Sequence, residues 1–224
     1  MDNTEFEARM RRGERFHSKR LPENSWVVVR VDGHGFSRLT STHFQKPFDE
    51  AFHHSMVQAA RALMEEFNGV YAYTESDEIS LLLPLDWSTF DRSHEKTISL
   101  SAGLASSVFT QASGHLAHFD SRVWIGRSED AVLDYFRWRQ SDAARCALNG
   151  WCYWTLRQQG QSYAAATKSL EGQSMEFKRE LLQQNNVDFD QVPLWQQRGV
   201  DLFWDYHDKP GYNPLTQQTV TAKR

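Results

Sequence analysis

The chain predicts an α+β fold: a split βαβ antiparallel sheet with helices on one face, followed by a helical C-terminal part. Three observations carry that reading. Hydrophobic period over the first 127 residues runs strand, helix, strand, strand, helix, strand; the later residues carry mainly helical patterns; a final apolar run, GVDLFWDY, suits a sheet edge.

The first strand lies in SWVVVRVDGHGF, Ser25 to Phe36. Val27, Val28, Val29 and Val31 predict a strand covered on both faces, because a half-exposed one would alternate strictly. Asp32 falls at its carboxyl end, where α/β folds place ligands. Gly33 and Gly35 let backbone approach a phosphate or reach dihedrals closed to other residues. A plain Asp-Gly turn is the commoner meaning of that pair. A polar connection, SRLTSTHFQ, leads to a helix starting at KPFDEAF, with Pro47 in its first turn. Phe48, Phe52, Met56, Ala60, Leu63 and Phe67 form a helical stripe for the sheet, and Asn68 and Gly69 end it.

VYAYTESDEISLLLPL reads as two strands, Val70 to Thr74 and Ile79 to Leu85, joined by an acidic tip that is either solvated or a cation site. HEKTISLSAGLASSVFTQA makes a long helix and SRVWIG a short strand. This order brings the end of the first strand and the hairpin tip together. From Ser128, SEDAVLDYFRWRQ, DAARCALNGWCYWTLRQQG, SYAAATKSLEG and SMEFKRELLQQ read as helices separated by Gly and Ser breaks, and KPGYNPLTQQTVTAKR as a loop-like tail. Residues 1–127 are then a catalytic core and 128–224 a helical extension with a return strand, packed as one unit.

Of 224 residues, 40% are hydrophobic and 13% aromatic, which excludes a disordered chain. A formal charge of -4 argues against nucleic-acid binding by bulk charge, although local basic surface can still hold phosphates. Arg9, Arg11, Arg12, Arg15, Lys19 and Arg20 are the nearest to such a surface, and equally read as a solvated helix face. Cys146 and Cys152 form neither a Cys-x-x-Cys pair nor part of a histidine motif, so no disulfide framework or zinc site is encoded. MDNTEFEARMRR lacks the apolar core of a signal peptide, and no run approaches membrane-spanning length. A cytoplasmic protein without membrane partners is expected.

Asp32 at a strand end and Asp77 at a hairpin tip suit two magnesium ions, since hard cations take carboxylate and phosphate oxygens. The amides of Gly33, His34, Gly35 and Phe36 can cradle a triphosphate, Lys46 can neutralise it, and Asp49 can read a base edge. Acids at turns are more often merely solvated. Glu75 and Glu78 add charge around Asp77, either to hold cations or to raise its pKa without them.

VVVRVDGHGFSRLT, FQKPFDEAF, YTESDEISLLL, SAGLASSVF, FDSRV, YFRWRQSDA, ALNGWCYWTLRQQG, FKRELL and PLWQQRGV occur in the order of the tRNA-histidine guanylyltransferase family. From about Arg9 to the tail the chain resembles that family, nearest to its Thg-one-like branch of 3′-to-5′ polymerases that repair tRNA 5′ ends. The resemblance implies a polymerase-palm-like core in a homotetramer, acting on tRNA or tRNA-like RNA. It implies attack by the 3′-hydroxyl of a nucleoside triphosphate on an activated RNA 5′-phosphate, with two Mg2+ ions and with ATP and GTP as substrates. Asp32 and Asp77 match the metal-binding aspartates, and Gly33 a carbonyl ligand. His34, Gly35, Phe36, Ser37, Lys46, Asp49, Ser76 and Glu78 match the nucleotide-binding segments, and Lys178 a phosphate-meeting lysine. Arg139 and Asn149 are further candidates for RNA or phosphate contact.

The chain departs from the family pattern at several positions. His34 stands for an arginine, removing a permanent charge and its forked donors. Ser37 stands where histidine is common, and Ala144 and Cys146 where relatives carry His and Asn. The eukaryotic His-Ile-Asn-Asn-Leu-Tyr-Asn signature, which goes with tRNA-histidine handling, is absent, arguing against strict anticodon-dependent addition of one guanylate. Two other readings stand beside the polymerase: a palm-type nucleotide cyclase or dinucleotide synthase, and a tRNA-binding protein without turnover. Trp138, Trp151, Tyr153 and Trp154 read as core or as platforms for bases, and Arg137, Arg139 and Arg145 as RNA grips or a solvated face.

Overall fold

The computed structural model describes residues 3–14, 16–206 and 208–223. Its elements are α1 (Asn3–Arg11), β1 (Trp26–Gly33), α2 (Phe36–His43), α3 (Glu50–Glu66), β2 (Tyr71–Glu75), β3 (Glu78–Leu83), α4 (His94–Ser113) and β4 (Phe119–Gly126). Then come α5 (Glu129–Gln158), α6 (Tyr163–Leu170), α7 (Met175–Gln184), α8 (Leu194–Arg198), β5 (Val200–Phe203), β6 (Asp208–Asn213) and β7 (Gln218–Lys223). Strands β4-β1-β3-β2-β5 form one antiparallel sheet in that order. The return strand takes the edge beside β2, as the GVDLFWDY run predicts.

The valine run places β1 between two covers. Val27, Val29 and Val31 join Ile79, Leu81 and Leu83 against Met56, Ala60 and Leu63 of α3, Phe67 just past its end, and Ala105 and Phe109 of α4. Each fully buried aliphatic side chain of this kind stabilises the fold by about 1.5–3 kcal/mol relative to exposure. The opposite face is covered by α5, where Tyr135 shares a hydrogen bond with Ser80 at 2.9 Å and Phe136 packs edge-on against Tyr71. A second cluster joins Leu148, Cys152 and Leu156 of α5 to Ala166, Leu170 and Leu182 of α6 and α7.

Five local expectations change. SRLT belongs to helix α2: Gly35, at φ 73, caps it, Phe36 anchors it in the core, and Thr40 and Thr42 donate back to the carbonyls of Phe36 and Arg38. Helix α3 starts at Glu50 with Asp49 as its cap, so Pro47 precedes the helix instead of sitting in its first turn. Helix α5 runs unbroken through Ser141, whose hydroxyl is satisfied inside the helix by the Arg137 carbonyl at 2.8 Å. The tail is a β6–β7 hairpin. Strand β4 also begins two residues before SRVWIG, at Phe119.

Phe48 leaves the α3 stripe to pack with Trp151 against the second cluster, and its ring also meets that of Trp195 edge-on. Arg11 and Arg20 of the basic amino end pair with Glu7 and Asp91, whereas Arg15 lies outside the described residues. Among the described residues no helix is long and apolar enough to cross a membrane.

Candidate active site

Antiparallel register sets Asp32 at the end of β1, opposite Glu78 on β3 and Asp120 on β4. Beyond Glu78 the chain reverses through Ser76 and Asp77, with Ser76 in the left-handed region at φ 50. The Gly33 N–H donates to the Asp77 carbonyl at 3.0 Å, tying the strand end to the hairpin tip. Only glycine fits at position 33: a Cβ there would lie 2.5 Å from the Phe36 ring, which is itself locked against Phe52, Phe109 and Phe119.

Convergence shows in the charges. Burial, and then the neighbouring charge of Asp32, pushes the Asp77 carboxyl up to about 6. Burial, then Glu78 and Asp77, pushes Glu75 up to about 7. Ser76 Oγ donates to Asp77 at 3.2 Å, and Arg122, bonded to Asp120 at 2.8 Å, reaches Asp32 only at 3.7 Å. Among the described residues no group of three or more His, Cys, Asp or Glu side chains forms a metal cage. Two poorly compensated carboxylates still fit Mg2+, which binds through one or two carboxylates and completes its shell with water and substrate phosphate.

Glu78 has another fate. Arg139 grips it with two hydrogen bonds, 2.6 and 2.9 Å, and Arg30 stands 3.9 Å away. Arg139 also meets Asp142 at 3.2 Å, and its guanidinium and that of Arg30 both lie over the Trp138 ring. Two residues expected to meet nucleotide and RNA thus meet each other, and neither lines the cleft.

That cleft has two lobes on either side of Lys46, Ser76 and Trp154. The tighter lobe, about 180 Å³, is lined by Asp49, Glu75, Cys146 and Trp195; the roomier, about 570 Å³, by Ser37, Asp77, Tyr153, Arg157 and Tyr163. Burial lowers the Lys46 amine's pKa, while Asp77 and Asp49 oppose the shift, and the amine lies over the Trp154 ring. Asp49 faces the tight lobe while accepting from the amides of Phe52 and Gln45 at 2.9 and 2.8 Å, so its orientation is fixed by the backbone it caps.

The remaining candidates scatter. His34 is exposed, its amide donating to the His118 carbonyl at 2.9 Å and its ring parallel to that of His118. The Phe36 ring faces the core, leaving its amide and that of Ser37 in the first turn of α2, where no helical carbonyl precedes them. Asn149 and Lys178 are half-buried on α5 and α7 and line neither lobe. Sequence reasoning missed Thr40, Arg157, Tyr163 and Trp195. For Arg157 there was a signal: Cys146, Gly150, Trp154 and Arg157 recur at helical spacing.

Residues 7–126 match the family model described as tRNAHis guanylyltransferase, and residues 130–224 the one described as Thg1 C terminal domain. The chain belongs to the tRNA(His) guanylyltransferase family. It is 34% identical over 203 residues to tRNA(His) guanylyltransferase 2 of Arabidopsis thaliana, covering 84% of this chain and 37% of that protein. A probable tRNA(His) guanylyltransferase of Drosophila melanogaster is 33% identical over 191 residues, covering 80% and 67%. The chain spans little more than a third of the length of the plant relatives it matches. A solved bacterial tRNA(His) guanylyltransferase (Thg1)-like protein, in complex with ATP, superposes with a TM-score of 0.76 at 28% identity over 88% of both chains. The family thus accounts for the palm-like sheet and for the helices that close its other face.

Proposed function

We propose that this chain is a magnesium-dependent 3′-to-5′ nucleotidyltransferase that adds nucleotides to the 5′ end of tRNA or tRNA-like RNA. Asp77, in the lining of the roomier lobe, and Asp32, whose charge it feels across the Gly33–Asp77 backbone bond, carry this reading. Family membership and a relative solved with ATP support it.

The chemistry has two displacements. An oxygen of the RNA 5′-monophosphate attacks the α-phosphorus of ATP and expels pyrophosphate, giving a 5′-adenylylated end. The 3′-hydroxyl of an incoming nucleotide, such as GTP, then attacks the RNA's 5′-phosphorus, forms the new phosphodiester and expels AMP; a 5′-triphosphate end expels pyrophosphate directly. Asp32, Asp77 and the Gly33 carbonyl would hold Mg2+, which lowers the charge on the phosphates and sharpens the attacking oxygen. Lys46 meets phosphate charge from the wall shared by the lobes, and the first amides of α2 offer unpaired N–H groups to phosphate oxygens. Asp49, held by two backbone amides, presents a fixed acceptor for a base edge in the tight lobe. We further read residues 1–127 and 128–224 as one structural unit, the protomer as part of a homotetramer, and the protein as cytoplasmic.

The protein with magnesium, ATP, labelled GTP and a tRNA truncated at its 5′ end should transfer label into RNA. Asp77→Ala should lower that rate by about 10³-fold or more. Label appearing in a small product when RNA is omitted would favour the cyclase, and RNA binding without any product would leave a tRNA-binding protein.

A further inference from the structure

The roomier lobe is built differently from its neighbour. The tight lobe presents two carboxyl groups, Asp49 and Glu75, and Asp49 is a positioned acceptor, as a base edge with N–H groups requires. The roomier one presents a cation, aromatic rings and a way out. Tyr153 packs edge-on against both Trp154 and Tyr163, at centroid separations of 5.2 and 5.8 Å, making a continuous aromatic wall from Lys46 outward. Tyr163, the last ring, is 73% exposed at the mouth. The Arg157 guanidinium lines the lobe and is held in place by a 2.7 Å hydrogen bond from Nη1 to the Gln161 carbonyl. A guanidinium held in this way is a positioned cation for a phosphate.

We propose that this lobe holds the 5′-terminal nucleotide of the RNA acceptor strand, its base against the ring of Tyr163, a backbone phosphate at Arg157 and its 5′-phosphate toward Asp77. The assignment rests on the nucleotidyltransferase reading and extends it to named contacts. Single-stranded ends are bound by aromatic rings that stack on bases and by cations that meet the phosphodiester. The exposure of Tyr163 matters as much: a polymer must leave the site, and an exposed ring in the lining lets the strand continue into solvent. Asp77 lines this lobe and not the tight one, which sets the RNA end beside the acid while Lys46, Ser76 and Trp154 border both lobes.

The test uses the full chain, a 5′-phosphorylated single-stranded RNA carrying a fluorophore at its 3′ end, and ATP, each binding measured separately. Tyr163→Ala should weaken RNA binding about tenfold and leave ATP binding unchanged. An RNA whose first nucleotide is abasic should bind the natural protein about tenfold more weakly, with no further loss in Tyr163→Ala. Arg157→Gln should weaken RNA binding and reduce its salt dependence by about one phosphate contact. Equal losses of ATP and RNA binding, unchanged RNA binding, or an abasic penalty that persists in Tyr163→Ala would overturn the site. So would two bound ATP molecules in the natural protein and one in Arg157→Gln, since the lobe would then belong to a second nucleotide. These measurements need no turnover: a protein that shows the expected RNA losses but transfers no label would retain the site and lose the proposed activity, and one that binds no RNA would lose the site.

Discussion

Asp77 and Glu78 are neighbours in sequence and burial raises both carboxyls, yet they have unlike partners. Glu78 is clasped by Arg139, with Arg30 behind it, so its charge is answered inside the protein. Asp77 faces Asp32 and is answered chiefly by a serine hydroxyl and its own backbone amide. Burial with compensation makes a joint between sheet and helix. Burial without it makes a place where a cation from solution is wanted.

Arg139→Met should have the largest effect on stability. It strands the Glu78 carboxylate beneath α5, and urea unfolding should show a loss of about 3–5 kcal/mol, recovered in part by adding Glu78→Gln. A silent Arg139→Met would mean that the pair compensates nothing, and the contrast would fall. Gly33→Ala comes next. Its methyl drives against the Phe36 ring and loosens the backbone tie to Asp77 without touching a charge, costing about 1–3 kcal/mol in the same measurement and slowing transfer.

Asp77→Asn should act in the opposite direction and raise stability. The native carboxyl holds its proton up to about pH 6, whereas the unfolded chain releases it near 3.8, so stability falls as pH climbs through that window and the penalty is complete above it. Calorimetry of metal-free protein should find Asp77→Asn melting a few degrees higher at pH 7.5 and no higher at pH 3.5. Magnesium should stabilise the natural protein more at pH 7.5 than at pH 5, and should do little for the variant. A magnesium shift that survives Asp77→Asn would move the cation elsewhere.

Much of the fold around these acids was legible one residue at a time. The valines of β1, the stripe of α3 and the small-residue helix α4 announce their burial because apolar period reports which face leaves water. Asp32 and Asp77 stood out as acids at the ends of apolar strands. The misreadings share a cause: SRLT, Pro47 and Ser141 carry local signals for turns or helix starts, and each was overruled by something distant or by a side chain satisfying its own helix, as with Phe36 in the core, Asp49 as the cap and Ser141 on the Arg137 carbonyl. Arg139 shows the limit at the site itself. Sixty-one residues separate it from Glu78, and nothing in either segment says that they pair.

Sequence by itself determined the main buried segments, the order of the core strands with α3 and α4 between them, and the two acids that stand at strand ends, since these follow from local period and residue chemistry. Tertiary structure decided which acid keeps a partner, which arginine faces the cleft, and that one cleft has two unlike lobes, because each depends on α5 crossing the sheet and on contacts between groups far apart in the chain.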